Sequence, residues 1–508
     1  MNAEPYSGAA LKRSAWHFLT GRAVSAALTF IILLWVVRLL PVAEYGAYVT
    51  LVAALELTIA ISTFGLPWMA SRYLPEYRLH APGVILIRYT RRIMALLGSV
   101  LVLAALLVFV NLKWLLATVD MSPYEDVARL YLLMMIAEGF GRHLRESALG
   151  PLLMQGIAQV SLVMRNLILL LLLGVMSVAG HVNLHDVAMA ELMAAITAAT
   201  IALGGLAHHL RRYRGLKGEP GWTEPAWQDM WHTARHMYFS QMITLAYSTQ
   251  VFLILIRRYL GVEATAVFGF LRSLYEQVSR YLPATLLFSL IRPKLVASYI
   301  GRGGIEELAR NANLAGKLSL FVLMPLVVFV GMAGQELVNL LAGGKFPDTG
   351  FYLAGLMLAL IPFSQRQIVE TMAVTSGHSQ LCTFAAVLGV LVLPLTYMLL
   401  EVGLGLWAPI IGLGLGNLLF NTVILVGMGR LTPYRPDMRG SIKLMLASLT
   451  TYLCARFMPV PEPGWIGLIC TAGLVLAIYL VASYFIRPFS QAERDRLNRH
   501  LARGLFVW

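Results

Sequence analysis

The sequence predicts an all-α polytopic membrane protein with about 14 transmembrane helices. The first observation is composition: of 508 residues, 58% are hydrophobic and 13% charged, whereas soluble domains average about 45–50% and about 25%. The second is a series of long apolar runs, and the third is an uneven distribution of Lys and Arg between alternate connections. The composition excludes a soluble enzyme, a disordered chain and a nucleic-acid-binding domain.

The apolar runs follow one another with short connections. The first begins after Lys12 and Arg13 and continues to Leu40, which is too long for the core of a signal peptide and is therefore interpreted as a spanning helix. No connection is long enough to form a separate soluble domain. The predicted spans are 19–40, 45–67, 93–112, 128–149, 152–178, 186–208, 237–260, 264–290, 313–333, 351–372, 380–400, 404–428, 440–458 and 464–487.

The charge distribution supports this order of spans. With the N-terminus placed in the cytoplasm, and with residues near the end of a span counted with the adjacent side, 28 of the 40 Lys and Arg residues fall on the inner side, 7 on the outer side and 5 in the interior of spans. Such positive-inside bias is typical of multi-pass membrane proteins and predicts that both termini are cytoplasmic. The net charge of +14 is interpreted as topology plus an anionic substrate. No basic tract with interleaved aromatic residues occurs, so a nucleic-acid partner is not expected.

Charged landmarks coincide when the sequence is shifted by 220 residues. The matched pairs are Arg38 with Arg258, Glu56 with Glu276, and Arg72 with Arg292. The shift covers six spans, an even number, so both halves enter the membrane from the same side. This predicts two six-helix lobes related by a pseudo-two-fold axis along the membrane normal, plus two extra C-terminal helices.

The predicted division of the chain follows from the spans. The tail places Leu497, Leu501 and Leu505 at i, i+4 and i+8 among arginines, which is typical of a helix lying on anionic lipid; a solvated tail is the alternative. The three cysteines lie in apolar stretches, so neither a disulfide framework nor a metal site is implied, and no cofactor is expected. The segments are an N-terminal cytoplasmic or interfacial segment (1–18), an N-lobe of helices 1–6 (19–210), a cytoplasmic linker (211–236), a C-lobe of helices 7–12 (237–430), helices 13 and 14 (431–487) and an amphipathic cytoplasmic tail (488–508).

Several charges lie inside the predicted spans, where each costs roughly 2.5–3.5 kcal/mol on insertion scales. Five arginines from four spans favour one shared cationic cavity, because the planar guanidinium binds phosphate oxygens in a bidentate manner and stays charged. Glu56 and Glu276 are candidates for ion coupling or for ion pairs. The alternative for every such residue is an interhelical salt bridge that fixes packing. The candidate cavity residues are Arg22, Arg165, Arg272, Arg280 and Arg366.

Three stretches carry a resemblance to a known family. Residues 36–78 contain an Arg-Leu-Leu-Pro corner, the Glu-Tyr-Gly-Ala-Tyr element of Glu44–Tyr48 and a Gly-Leu-Pro before a basic loop. Together with PLLMQGIAQVSLVMRN and TMAVTSGHSQLCTFAAV, they resemble bacterial polysaccharide transporters, the O-antigen flippase-like branch of the multidrug/oligosaccharidyl-lipid/polysaccharide (MOP) export superfamily. The chain also fits the helix count of that family.

The resemblance implies two six-helix lobes around a central cavity with cationic residues, in the bacterial inner membrane. It implies a non-enzymatic flippase that transfers an undecaprenyl-pyrophosphate-linked oligosaccharide by alternating access, with membrane lipids and polysaccharide polymerase or glycosyltransferase machinery as partners. An ion-coupled multidrug or cation antiporter of the same superfamily is the alternative, although arginine outnumbers carboxylate in the spans. A membrane glycosyltransferase is disfavoured because outer loops are short and no Asp-x-Asp occurs. A permease of the major facilitator type is disfavoured because residues 68–92 lack its Gly-x-x-x-Asp-Arg pattern.

Overall fold

The computed structural model describes residues 8–282, 304–458, 464–501 and 506–508. These described residues form helices and connections with no strand, and nine of their helices are long and apolar enough to cross a membrane by length and composition. The predicted all-α polytopic membrane architecture is confirmed. Arg292 of the proposed repeat and the tail residue Leu505 lie outside the described residues.

The helices before the middle of the chain fall on the predicted spans, with ends that differ by several residues. The predicted span 237–260 is the exception, because it is interrupted by a break at 246–248. They are α1 (Gly8–Leu39), α2 (Val42–Ile61), α3 (Leu66–His80), α4 (Gly83–Val110), α5 (Leu112–Thr118), a 3₁₀ turn (Ser122–Tyr124), α6 (Glu125–His143) with a π turn (Leu144–Leu149), α7 (Gln155–Ala179), α8 (Leu184–Tyr213) and α9 (Trp227–Leu245).

The later helices follow the remaining spans. They are α10 (Thr249–Tyr281), α11 (Gly304–Ala342), α12 (Gly350–Thr375), α13 (Ser379–Gly389), α14 (Val392–Glu401), α15 (Trp407–Leu431), α16 (Met438–Arg456), α17 (Trp465–Ile486) and α18 (Gln491–Leu501).

The described residues divide into two compact units. The first comprises the chain up to Leu245 together with Gln250–Ala266, and the second comprises Ala246–Thr249 and the chain from Val267 onward. Helix α10 therefore contributes to both units. It changes direction at Gly261, whose φ of 83° lies in the left-handed region that glycine tolerates. The division predicted from the sequence, with a linker at 211–236, stays a prediction.

Helix α3 replaces part of the basic loop expected after the second span. Gly65 precedes it with φ 76°, and a Cβ at this position would lie 2.3 Å from the carbonyl oxygen of Ala234. Glycine is therefore required both by the backbone conformation and by the close approach of α9. The buried face of α3, which includes Met69 and Tyr77, packs into the core of the first unit. This packing converts a polar, proline-containing segment into a helix.

The predicted span at 380–400 is divided into α13 and α14. The break falls at Val390 and Leu391, and Pro394 lies in the first turn of α14, where its missing N–H costs no helical hydrogen bond. The position of the proline is therefore compatible with a new helix start.

The C-terminal tail is anchored to the second unit by a buried lysine. The Lys317 side chain on α11 is 2% exposed, and its Nζ lies 2.6 Å from Asp437 Oδ2 and 2.5 Å from Glu493 Oε2. Partial burial would raise the pKa of Asp437, but hydrogen bonds from Lys317 and the Gly440 amide outweigh it and lower that pKa below its usual value. The indole of Trp508 also donates to the Leu480 carbonyl at 3.0 Å. Whether the tail contacts lipid stays a prediction.

Candidate functional site

The first unit contains a buried ion-pair network centred on Glu138 of α6. Arg145 Nη2 lies 3.0 Å from Glu138 Oε1, and Arg165 Nε of α7 lies 2.8 Å from Glu138 Oε2. The exposed fractions of these side chains are 7% for Glu138, 9% for Arg145 and 18% for Arg165. One carboxylate therefore contacts two guanidinium groups away from water.

A second carboxylate, Glu191 of α8, completes this network. Tyr48 and Tyr131 donate hydrogen bonds to its two oxygens at 3.0 and 2.9 Å, and Arg165 interacts with it electrostatically. The network thus balances two guanidinium groups with two carboxylates. Arg165, which was predicted to line a cavity, lies in this network. Its contacts are those of an interhelical salt bridge, the alternative that the sequence left open.

The π turn at Leu144–Leu149 positions one of these arginines. Arg145 lies at its second residue, and its Nη1 is buried without a hydrogen-bond partner among the described residues. A Cβ at Gly141 would lie 3.3 Å from that same nitrogen. The absence of a side chain at Gly141 therefore leaves room for the guanidinium.

Two further candidates of the first unit have separate surroundings. The Arg22 guanidinium on α1 lies 5.4 Å from the Phe18 ring centroid, a geometry that supports a cation–π contact. Glu56 on α2 accepts a hydrogen bond from Gln250 Nε2 at 3.0 Å. Neither residue belongs to the Glu138 network.

The second unit contains the arginine-rich face that the spacing of α10 predicts. Arg272 Nε lies 2.7 Å from Glu276 Oε1, and Arg280 Nη2 lies 3.5 Å from Glu276 Oε2. Exposure rises along the helix, from 7% at Arg272 through 23% at Glu276 to 49% at Arg280. Glu276 is therefore shared between two guanidinium groups, and the outer one is half exposed.

Arg366 of α12 is held by polar and aromatic contacts. Its Nη1 donates to Asn417 Oδ1 and its Nη2 donates to Tyr247 Oη, both at 3.2 Å. The guanidinium carbon also lies 4.1 Å from the Phe420 ring centroid. These contacts fix the orientation of the guanidinium plane.

The segment 247–249, at the start of α10, links the two arginine sites of the second unit. Thr249 Oγ1 accepts from Arg272 Nε at 3.1 Å and lies 3.2 Å from Glu276 Oε1, while Tyr247 contacts Arg366. Sequence reasoning missed both contact residues, as well as Asn417. The signal that could have found them was the polar run Tyr-Ser-Thr-Gln at 247–250 inside an apolar span. We call the set Tyr247, Thr249, Arg272, Glu276, Arg280 and Arg366 the arginine cluster.

Known proteins resemble this chain in structure and not in sequence. No family model matches the chain, and no curated protein matches it by sequence. Among solved structures, it is similar to the lipid II flippase MurJ in an inward closed conformation, with a TM-score of 0.68 and 12% identity over 96% of this chain and 99% of that one. An inward-facing multidrug resistance MATE family transporter of the MOP superfamily gives a TM-score of 0.59 and 15% identity, over 82% and 96%. The chain shares its fold with these two structures.

Other solved MOP-fold structures are also similar. The Vibrio cholerae MATE transporter VcmN gives a TM-score of 0.54 and 13% identity, over 83% of this chain and 96% of that one. The shared fold fits the predicted polytopic membrane protein with about 14 transmembrane helices, and it supports a membrane location. Identities this low establish a shared fold and leave the substrate to the residues of this chain.

Proposed function

We propose that this protein is a flippase that moves an undecaprenyl-pyrophosphate-linked oligosaccharide, a precursor of cell-surface polysaccharide, across the bacterial inner membrane by alternating access. It acts as a transporter and performs no enzymatic step, and both termini are cytoplasmic. The MOP fold supports transport, and the similarity to a protein described as a lipid II flippase supports a lipid-linked substrate.

The observation that carries the proposal is the environment of Arg280. Its side chain is 49% exposed, and the carboxylate that it contacts at 3.5 Å already holds Arg272 at 2.7 Å. The exposed end of the α10 face therefore presents a half-exposed guanidinium that an anion can reach. Its charge is suited to a pyrophosphate, whose oxygens a guanidinium fork binds in pairs.

Arg366 supplies a second, preorganised donor group. Asn417, Tyr247 and the Phe420 ring hold its guanidinium, so little rotamer entropy remains to be lost on binding. We assign Arg280 and Arg366 to the phosphate groups, and we assign Arg272 to holding Glu276 and Thr249. Arg22 and Arg165 remain predicted cavity residues, with the contacts of Arg165 favouring a packing role.

Glu56 and Glu276 were candidates for ion coupling. Glu276 contacts two arginines and Thr249, and Glu56 accepts a hydrogen bond from Gln250. These contacts favour an ion-pair and positioning role for Glu276, while Glu56 stays a candidate for proton or ion uptake.

The test compares Arg280→Ala with Arg280→Lys in cells that export the glycan, at matched protein levels, and in proteoliposomes with a pyrophosphate-linked oligosaccharide. We expect Arg280→Ala to lower export at least tenfold, and Arg280→Lys to restore part of it, because lysine keeps the charge without the fork. Arg430→Ala is the matched control, since Arg430 is an exposed arginine at the end of α15 outside the arginine cluster. Unchanged transport by Arg280→Ala would refute the proposal.

A second function, ion-coupled export of drugs or organic cations, is favoured by the similarity to MATE transporters. This function predicts that the wild-type protein extrudes a cationic dye when an inward ion gradient drives the exchange. It also predicts that Arg280→Ala leaves this efflux intact. Dye efflux without glycan transport would favour the antiporter. Glycan transport with neighbouring genes for glycosyltransferases and a polymerase would favour the flippase and its proposed partners.

A further inference from the structure

The first unit carries a deep groove between α4 and α8. It has a volume of about 1700 Å³ and is lined on one side by α4 from Val84 to Leu106 and on the other by α8 from Leu203 onward with its C-capping residue Arg214, and Phe140 of α6 also lines it. None of the described residues that line it is acidic. Most of its length is apolar, so the groove is suited to hydrocarbon and not to a soluble ligand.

Positive charge is confined to one end of the groove. Its five arginines lie in the first third of α4 and at the end of α8, because the two helices run in opposite directions along it. They are Arg88, Arg91, Arg92, Arg211 and Arg214.

Two of these arginines are already engaged. Arg88 pairs with Glu224 at 3.0 Å, and the Arg92 guanidinium lies 3.9 Å from the Trp227 ring centroid. The other three, Arg91, Arg211 and Arg214, are exposed and form no ion pair within the described part of the chain. An anion at this end of the groove would therefore meet three guanidinium groups, while the carboxylate of Glu224 is held by Arg88.

The length over which both walls are present indicates what kind of lipid fits. The α8 wall covers Leu203 to Arg214, which at 1.5 Å per residue is roughly 16 Å. The hydrocarbon core of a bilayer is about 30 Å thick, so this length corresponds to one leaflet. An acyl chain of a membrane phospholipid has this reach, whereas a polyprenyl chain would extend beyond the shared walls.

We propose that this groove binds one anionic phospholipid, with its phosphate at Arg91, Arg211 and Arg214 and its acyl chains along α4 and α8. Basic pockets between transmembrane helices bind anionic headgroups in this way. The site lies wholly within the first unit and does not include the arginine cluster, so it constitutes a binding function in addition to transport.

The test is retention of phosphatidylglycerol by the purified full-length protein, measured by native mass spectrometry with phosphatidylcholine as the neutral comparison. We expect one retained phosphatidylglycerol per chain. In the variant that combines Arg91→Gln, Arg211→Gln and Arg214→Gln, we expect the affinity of the protein for phosphatidylglycerol to fall by roughly 100-fold, or about fivefold per arginine. The matched control combines Arg430→Gln, Arg439→Gln and Arg487→Gln, which removes the same charge from exposed arginines of the second unit. We expect the control to retain the lipid.

A second variant tests the apolar length without changing charge. Ala207 lines the groove and is exposed, so Ala207→Trp fills the space while leaving the core in place. We expect loss of the retained phosphatidylglycerol with an unchanged thermal unfolding midpoint. Retention by Ala207→Trp would contradict the placement of the acyl chains.

Other outcomes would also overturn the proposal. Equal retention of phosphatidylcholine, or equal loss in the two triple variants, would show nonspecific association. Displacement by inorganic phosphate would show that only the headgroup charge is recognised. Displacement by a pyrophosphate-linked oligosaccharide would assign the groove to the transport substrate, a result that would leave the proposed function standing.

Discussion

The Glu138 network and the arginine cluster use the same residue types inside a membrane protein, but in different proportions. In the first unit, Glu138 and Glu191 balance Arg145 and Arg165, and the three ion-paired side chains are at most 18% exposed. In the second unit, Arg272 and Arg280 share Glu276, and exposure reaches 49% at the outer arginine. A buried set holds helices together, whereas a set that ends on a half-exposed arginine is accessible to an anion. The exposure of the arginines, and not their presence in a span, distinguishes packing from a candidate binding role.

The largest expected effect is on the buried set. Glu138→Gln leaves two buried guanidinium groups without their shared counterion, and breaking such a buried pair costs about 3–5 kcal/mol. We expect a marked drop in the thermal unfolding midpoint of the detergent-purified protein. Glu276→Gln is the matched control, because its carboxylate is 23% exposed and water can replace part of the lost interaction. Equal drops in the two variants would erase the distinction between the regions.

The next largest expected effect is a recovery of thermal stability. Replacing Glu138, Arg145 and Arg165 together by methionine, in a Glu191→Gln background so that no buried carboxylate is left behind, removes every charge of the network, and apolar replacement of buried ion pairs is often neutral or stabilising. We expect this combined variant to unfold at a higher temperature than Glu138→Gln, although it carries more changes. The effects of substitutions on stability are not additive when the residues belong to one network. Comparing these two variants measures the departure from additivity directly. A combined variant as unstable as the sum of its single changes would show that these side chains contribute through size and not through charge.

The smallest effect falls on the exposed end of α10. Arg280→Ala removes a half-exposed side chain whose ion pair spans 3.5 Å, and exposed pairs contribute about 0–1 kcal/mol. We expect little change in the unfolding midpoint, while Arg272→Ala, which removes a 7% exposed side chain, lowers it clearly. The order of the two midpoints sharpens the contrast within one helix. A large loss of stability for Arg280→Ala would place that residue in the packing of the second unit.

Features that depend on neighbours in sequence were predictable. The membrane spans follow from apolar length, and the face formed by Arg272, Glu276 and Arg280 follows from a spacing of four residues on one helix. Partners from different helices were not predictable, because no periodicity relates Glu138 to Arg165 or Arg366 to Asn417.

Two local features of the fold also escaped the sequence. Helix α3 has a polar composition with Pro75 in its interior, and its helical state follows from packing of one face into the first unit. The break between α13 and α14 lies within an apolar run, so hydropathy gave no signal for it. Both features depend on tertiary contacts, which the composition and hydropathy of one segment do not encode.

The π turn after α6 determines the direction in which its own residues point around the helix axis, relative to those of α6. It closes wider i→i+5 rings, so the segment Leu144–Leu149 holds one residue more than regular helix of the same height. Deleting Leu144, the residue of the turn that precedes Arg145, would re-form the common ring size and rotate Arg145 and the residues after it by about 100°. Arg145 would then leave the side facing Glu138, with every residue type in the network still present. Chain length over these six positions, as well as their chemistry, therefore fixes which guanidinium meets the carboxylate.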